Sequence, residues 1–192
     1  MADDDRTNIT RIDDIDSNQW YQLCTGECGQ SLFGTEVYTK SASIGASFCQ
    51  ITDYSSENQR WQLLKLNSTA WTIRGQKAGA DVYLGTSFSP KEETERNTTV
   101  SMLRGDVADA SVYWNLTPWG DKTWYFTNLA NGTFQMVKKP NSLMAMTPNI
   151  AAPAAPGQKW VIRKITAIND KEFSSVNVSS MVNKISTAKC AY

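Results

Sequence analysis

Three short runs dense in aromatic and β-branched residues punctuate the chain at similar intervals: Trp20-Tyr21-Gln22-Leu23, Trp71-Thr72-Ile73-Arg74 and Trp124-Tyr125-Phe126-Thr127. Each block they open closes on a second tryptophan followed by apolar residues, at Trp61-Gln62-Leu63-Leu64, Trp114-Asn115-Leu116 and Trp160-Val161-Ile162. Aromatic and branched residues at this spacing favour strands. Two further strand-like runs lie inside each block: Leu32 to Tyr38 with Ala46 to Ile51, Asp81 to Phe88 with Thr99 to Leu103, and Phe134 to Val137 with Leu143 to Met146. The connections between them are rich in Gly, Pro, Ser, Asn and Asp, the residues that turns require.

Taking Trp20, Trp71 and Trp124 as markers, the blocks repeat after 51 and 53 residues. Self-similarity at this period with four strands per copy points to an all-β repeat fold. A propeller needs about four blades or more to close its ring, whereas three copies suit a β-trefoil, in which six strands close a barrel and six cap it. The expected organisation is an N-terminal extension over 1–17, a trefoil over 18–165 with repeats near 18–68, 69–121 and 122–165, and a C-terminal tail or stalk over 166–192. The six marker tryptophans read as core, and the segment Ala151 to Gly157 reads as a stiffened loop inside the third repeat.

Composition narrows the function classes. Histidine is absent, which excludes Ser-His-Asp and Cys-His catalysis and any imidazole-ligated metal site. Lys plus Arg and Asp plus Glu number 19 each, so the chain lacks the basic excess of a nucleic-acid surface. No stretch reaches the roughly 20 apolar residues of a membrane-spanning helix, and no carboxylate pair of the glycosidase kind stands out. The expectation is a non-enzymatic binding protein needing no metal or other cofactor.

The four cysteines, Cys24, Cys28, Cys49 and Cys190, form an even set without metal-type spacing and read as two disulfides. Asn-x-Ser/Thr triplets begin at Asn8, Asn67, Asn97, Asn115, Asn131 and Asn177, six of the thirteen asparagines. Chance co-occurrence of turn residues competes with glycosylation as their origin. Cysteines and sequons together favour a secreted or cell-surface glycoprotein. The acidic Met1 to Arg6 stretch is unlike a signal peptide, and reads as a mature chain with an added initiator.

Asn58-Gln59-Arg60-Trp61 and Gln158-Lys159-Trp160 resemble the Gln-x-Trp signature of ricin-B-type lectins. Both copies stand at the same phase of the repeat, and Val112-Tyr113-Trp114 keeps only the tryptophan. The resemblance covers about residues 18 to 165 and is strongest to fungal members. It implies that Gln59 ties a loop together, that Trp61 fills the core and that Asn58 contacts sugar. The family's acid and aromatic platform have their best matches in Asp81, in Phe48 and in Tyr54, and no repeat carries the complete set. The resemblance also implies a Cys28–Cys49 disulfide, with Cys24 left to bond Cys190; the residues alone leave all three pairings of four cysteines open, with Cys24–Cys28 and Cys49–Cys190 the main competing set.

The residues themselves place Asp53, Tyr54, Asn58 and Gln59 on one loop, joining the aromatic surface and planar polar groups that sugar recognition uses. A polar turn whose Asn and Gln serve only the loop backbone is the competing reading. The expected partner is a cell-wall or host glycan, or a glycoprotein. The other function class is a protein-binding trefoil such as a secreted effector or protease inhibitor, contacting a host protein through the charged loop Ser89 to Thr99.

Overall fold

The computed structural model describes residues 14–25, 30–33, 47–49, 52–87, 99–104, 110–138, 144–148 and 156–174. Each repeat supplies four strands. The first gives β1 (Gln19–Thr25), β2 (Gln30–Phe33), β3 (Ser47–Cys49) and β4 (Trp61–Lys65). The second gives β5 (Ala70–Gly75), β6 (Val82–Ser87), β7 (Thr99–Arg104) and β8 (Trp114–Pro118), and the third gives β9 (Trp124–Asn128), β10 (Gln135–Lys138), β11 (Met144–Thr147) and β12 (Trp160–Ala167). All twelve fall where the hydrophobic pattern predicts strands.

Antiparallel pairing follows a closed path, from β1 to β4, β5, β8, β9, β12 and back to β1. That ring is the barrel, and closing it removes the exposed edges an open sheet would leave. The hairpins β2–β3, β6–β7 and β10–β11 form the cap, each joined to its own repeat through β1, β5 or β9.

Period-2 alternation turns Leu63, Leu116 and Ile162 of the closing strands inward, together with Leu23, Ile73 and Phe126 of the opening ones. The closing tryptophans Trp61, Trp114 and Trp160 are fully buried. A buried indole N–H needs an acceptor, and all three find one in the cap. Trp61 Nε1 donates to the Leu32 carbonyl at 3.1 Å, Trp114 Nε1 to that of Leu84 at 2.7 Å, and Trp160 Nε1 to that of Met136 at 3.4 Å. One side chain per repeat therefore packs the barrel and ties it to the hairpin above.

Register corrects one of the opening markers. Trp114 stands opposite Trp71 and Trp160 opposite Trp124, but Trp61 stands opposite Tyr21. The repeats therefore align on Tyr21 rather than Trp20. The pairing of β1 with β12 shifts between these two residues, and Trp20 packs its ring edge-to-face on Phe173, with centroids 4.9 Å apart. Tyr21 is buried, its hydroxyl accepts the Asp16 N–H at 2.8 Å, and desolvation raises its pKa.

Beyond β12, the Ile168 N–H donates to the Asn18 carbonyl at 2.8 Å, and Asp170 caps a single 3₁₀ turn over Lys171–Phe173. Phe173 is buried against the barrel wall. The first residues of the segment read from the sequence as a tail are thus packed on the domain.

In β6, a Cβ placed on Gly85 would lie 2.7 Å from Leu103 Cδ1 and 2.8 Å from the Ser111 carbonyl oxygen. The backbone approach at this strand needs the absence of a side chain. Gly85→Ala is expected to cost about 1–3 kcal/mol through overpacking, read as a lower melting temperature; an unchanged melt would contradict this close approach.

Candidate functional site

The loop Thr52–Arg60 connects β3 to β4 and is shaped by its own side chains. Asp53 Oδ1 accepts the Ser55 N–H at 2.9 Å and the Ser55 hydroxyl at 2.6 Å, a turn closed by a short acidic side chain. A 3₁₀ turn over Glu57–Gln59 follows. Gln59 is buried beneath it, and its Oε1 accepts the Asp53 N–H at 2.8 Å and Gln22 Nε2 at 3.3 Å. Gln59 therefore faces inward as a positioning residue that holds the loop from below.

Tyr54 projects from this loop with 41% of its surface exposed. Its carbonyl is gripped by Arg60, whose Nε and Nη2 donate at 3.1 and 2.9 Å. Its ring lies 5.2 Å from the guanidinium carbon of Arg163 on β12, a cation–π arrangement. Arg163 is itself buried and stands opposite Gln22 across the β1–β12 ladder. An exposed aromatic ring is thus held over a buried layer of Arg163, Gln22 and Gln59. Asn58, next to Gln59, is half-buried, and its Oδ1 is buried without a hydrogen bond among the described residues.

The Ser55 hydroxyl, followed by the Ser55 amide, lowers the Asp53 pKa, so the carboxylate stays ionised at neutral pH. Glu57 pairs with Lys77 at 3.7 Å at the surface, a contact worth little in water. Among the described residues no group of three or more Cys, Asp or Glu is arranged to hold a metal. The arrangement offers an aromatic face, an ionised acceptor and a side-chain amide.

The other expected residues lie elsewhere. Asp81 is exposed just before β6 of the second repeat, where it faces Arg104 at 3.4 Å; it belongs to a different repeat from the Tyr54 loop. The backbone of Phe48 pairs with Leu32 in β3, and its side chain lies outside the described structure. Cys24 is buried in β1 opposite Ser31, which in turn pairs with Cys49. Cys28 and Cys190 lie outside the described residues, and with them both disulfide pairings. So do Asn8, Asn97 and Asn177, and most of the Ser89 to Thr99 loop.

Asn67 caps the turn between β4 and β5 at the surface, accepting the N–H groups of Thr69 and Ala70 at 2.9 and 2.8 Å. Asn115 is half-buried in β8. Asn131 is buried, with both polar atoms of its amide out of reach of solvent. It presents no exposed amide for a glycan in the folded domain, contrary to the exposed position expected of a sequon.

Arg60 and Arg163 went unmarked by the sequence as site residues. Arg163 is far along the chain, and the only signal for it is alternation: with Trp160 and Ile162 inward, Arg163 points to the outer wall. The second repeat solves its closing loop differently, since Val112 stands at the position of Gln59. There the buried Asn128 donates to the Ser111 carbonyl at 2.7 Å and accepts the Thr86 hydroxyl at 3.2 Å.

No family model matches the chain, and no curated protein matches it by sequence. Solved structures do match. A designed protein with threefold symmetry, ThreeFoil, superposes with a TM-score of 0.57 at 18% identity, covering 77% of this chain and 99% of its own. The fold is a β-trefoil. The BEL β-trefoil matches with a TM-score of 0.60 at 11% identity, covering 83% of this chain and all of its own. A lectin of Polyporus squamosus, solved with a human-type influenza-binding epitope, matches at 0.57 and 14% identity over 77% of this chain and 49% of its own. At these identities the likeness is one of fold alone, and it does not single out a ricin-B-type branch.

A carboxylate with a lowered folded pKa adds to stability above its unfolded value, and this contribution is lost as pH falls through the folded value. The Asp53–Ser55 turn should therefore persist below the ordinary aspartate value of 3.8. An NMR titration followed at the Ser55 amide is expected to show its midpoint under that value; a midpoint at or above it would remove Asp53 from the turn.

Proposed function

We propose that this trefoil is a non-catalytic carbohydrate-binding module acting outside the cell, with its site on the first-repeat loop. The carrying observation is the exposed Tyr54 ring, held from below by Arg163 and through its backbone by Arg60. A sugar ring stacks on such a face while neighbouring carboxylate and amide groups bond its hydroxyls. Asp53 and Asn58 supply those groups, and Gln59 with Gln22 holds the loop in shape. The trefoil architecture shared with the Polyporus squamosus lectin supports this reading. The sequons and the even cysteine count support an extracellular setting, and a glycan or glycoprotein of a cell wall or host surface is the partner we infer.

Glycan-array binding of the protein, alongside Tyr54→Ala and Asn58→Ala variants shown by melting to remain folded, tests the proposal. Tyr54→Ala is expected to weaken binding about tenfold or more, and Asn58→Ala to weaken it less. Wild-type protein that binds no glycan, or binding untouched by Tyr54→Ala, would overturn the site and turn attention to protein partners.

A further inference from the structure

The barrel wall departs from threefold symmetry between β4 and β5. Gln62 of β4 faces Arg74 of β5 across the ladder. Register puts Asn115 with Thr127, and Val161 with Cys24, at the corresponding places in the other two strand pairs. Only the Gln62–Arg74 pair carries a charge, and both of its residues are buried.

Arg74 is surrounded by neutral oxygens. Its Nε and Nη2 donate to Gln62 Oε1 at 3.0 and 2.6 Å, Nη1 donates to the Ala80 carbonyl at 2.8 Å, and the Tyr83 side chain adds a further hydrogen bond. The remaining partner comes from the C-terminal segment: the Phe173 carbonyl accepts Arg74 Nη2 at 3.4 Å and Gln62 Nε2 at 2.7 Å. The Phe173 ring lies 5.2 Å from the guanidinium carbon and edge-on to Trp20. None of the ion pairs among the described residues includes Arg74. Buried guanidinium groups are ordinarily balanced by an anion, and a planar fork of donors suits a carboxylate better than a single carbonyl oxygen.

We propose that Trp20, Gln62 and Arg74 form a seat for the free carboxylate of a chain-terminal aromatic residue, and that its ligand is Phe173 of this chain once the residues after it are removed. The aromatic pocket is already filled and the carbonyl already placed, so only the charge is missing. Proteolysis supplies it: water adds across the peptide bond after Phe173, leaving a carboxylate on Phe173 and an ammonium group on the departing segment. The new oxygen takes the place of the Ser174 nitrogen, whose N–H now donates to the Lys171 carbonyl at 3.3 Å. An ion pair with Arg74 then fastens the end of the chain to the barrel, a recognition mode known for C-terminal carboxylates.

Two proteins of identical length, both ending at Phe173, separate charge from truncation: one with a free carboxylate and one with a carboxamide made by peptide ligation. The carboxylate form is expected to melt higher by about 3 °C or more, on the usual relation between stabilisation and melting temperature for a domain of this size. In an Arg74→Gln background that folds, the gap should close. Equal melting of the two native-background proteins, or a gap that survives Arg74→Gln, would overturn the seat. If the Arg74 variant does not fold, the native-background pair decides alone.

Discussion

The repeated bond from a buried indole to a hairpin carbonyl is the constraint on which the rest of the molecule depends. Trp61, Trp114 and Trp160 each lie in the barrel and each reach into the cap. An indole N–H left unpaired at these depths would cost about 1–3 kcal/mol, so barrel and cap hold one relative position. Fixing the cap also fixes where each closing strand begins, and so where the loop before it must turn back. The candidate site is built on such a loop.

Beneath Tyr54 the outer wall of the barrel is polar rather than apolar. Gln22 and Arg163 face each other across β1 and β12, and Gln59 reaches down to Gln22 while holding Asp53 from inside. This layer costs desolvation and returns geometry: a surface loop whose conformation is set from within keeps its aromatic ring and acceptors in place before a ligand arrives. Preorganisation of this sort lowers the ordering cost of binding.

Function in a threefold scaffold arises where the repeats differ. The first repeat keeps the Asn-Gln pair and adds an exposed tyrosine, while the second gives up the glutamine and lets Asn128 bind the loop carbonyl instead. The Gln62–Arg74 pair has no counterpart at the corresponding register of the other two strand pairs and receives the chain's own Phe173. These differences leave the inward-facing positions intact, because the core alternates with the wall along every strand.

Strand number, repeat period and core tryptophans were legible in the sequence because alternation and aromatic spacing are local properties of a chain that must bury one face of each strand. The loop Asp53 to Arg60 was legible too, since its turn residues act within a few positions of one another. What lay beyond the sequence depends on partners distant along the chain. Only strand register decided that Tyr21, not Trp20, opposes Trp61, and only folding brought Arg163 under Tyr54 and Phe173 onto Arg74. The direction in which Gln59 points, and the burial of Asn131, were likewise tertiary outcomes. A side chain's identity states what it can bond, but which groups surround it is set by closure of the barrel.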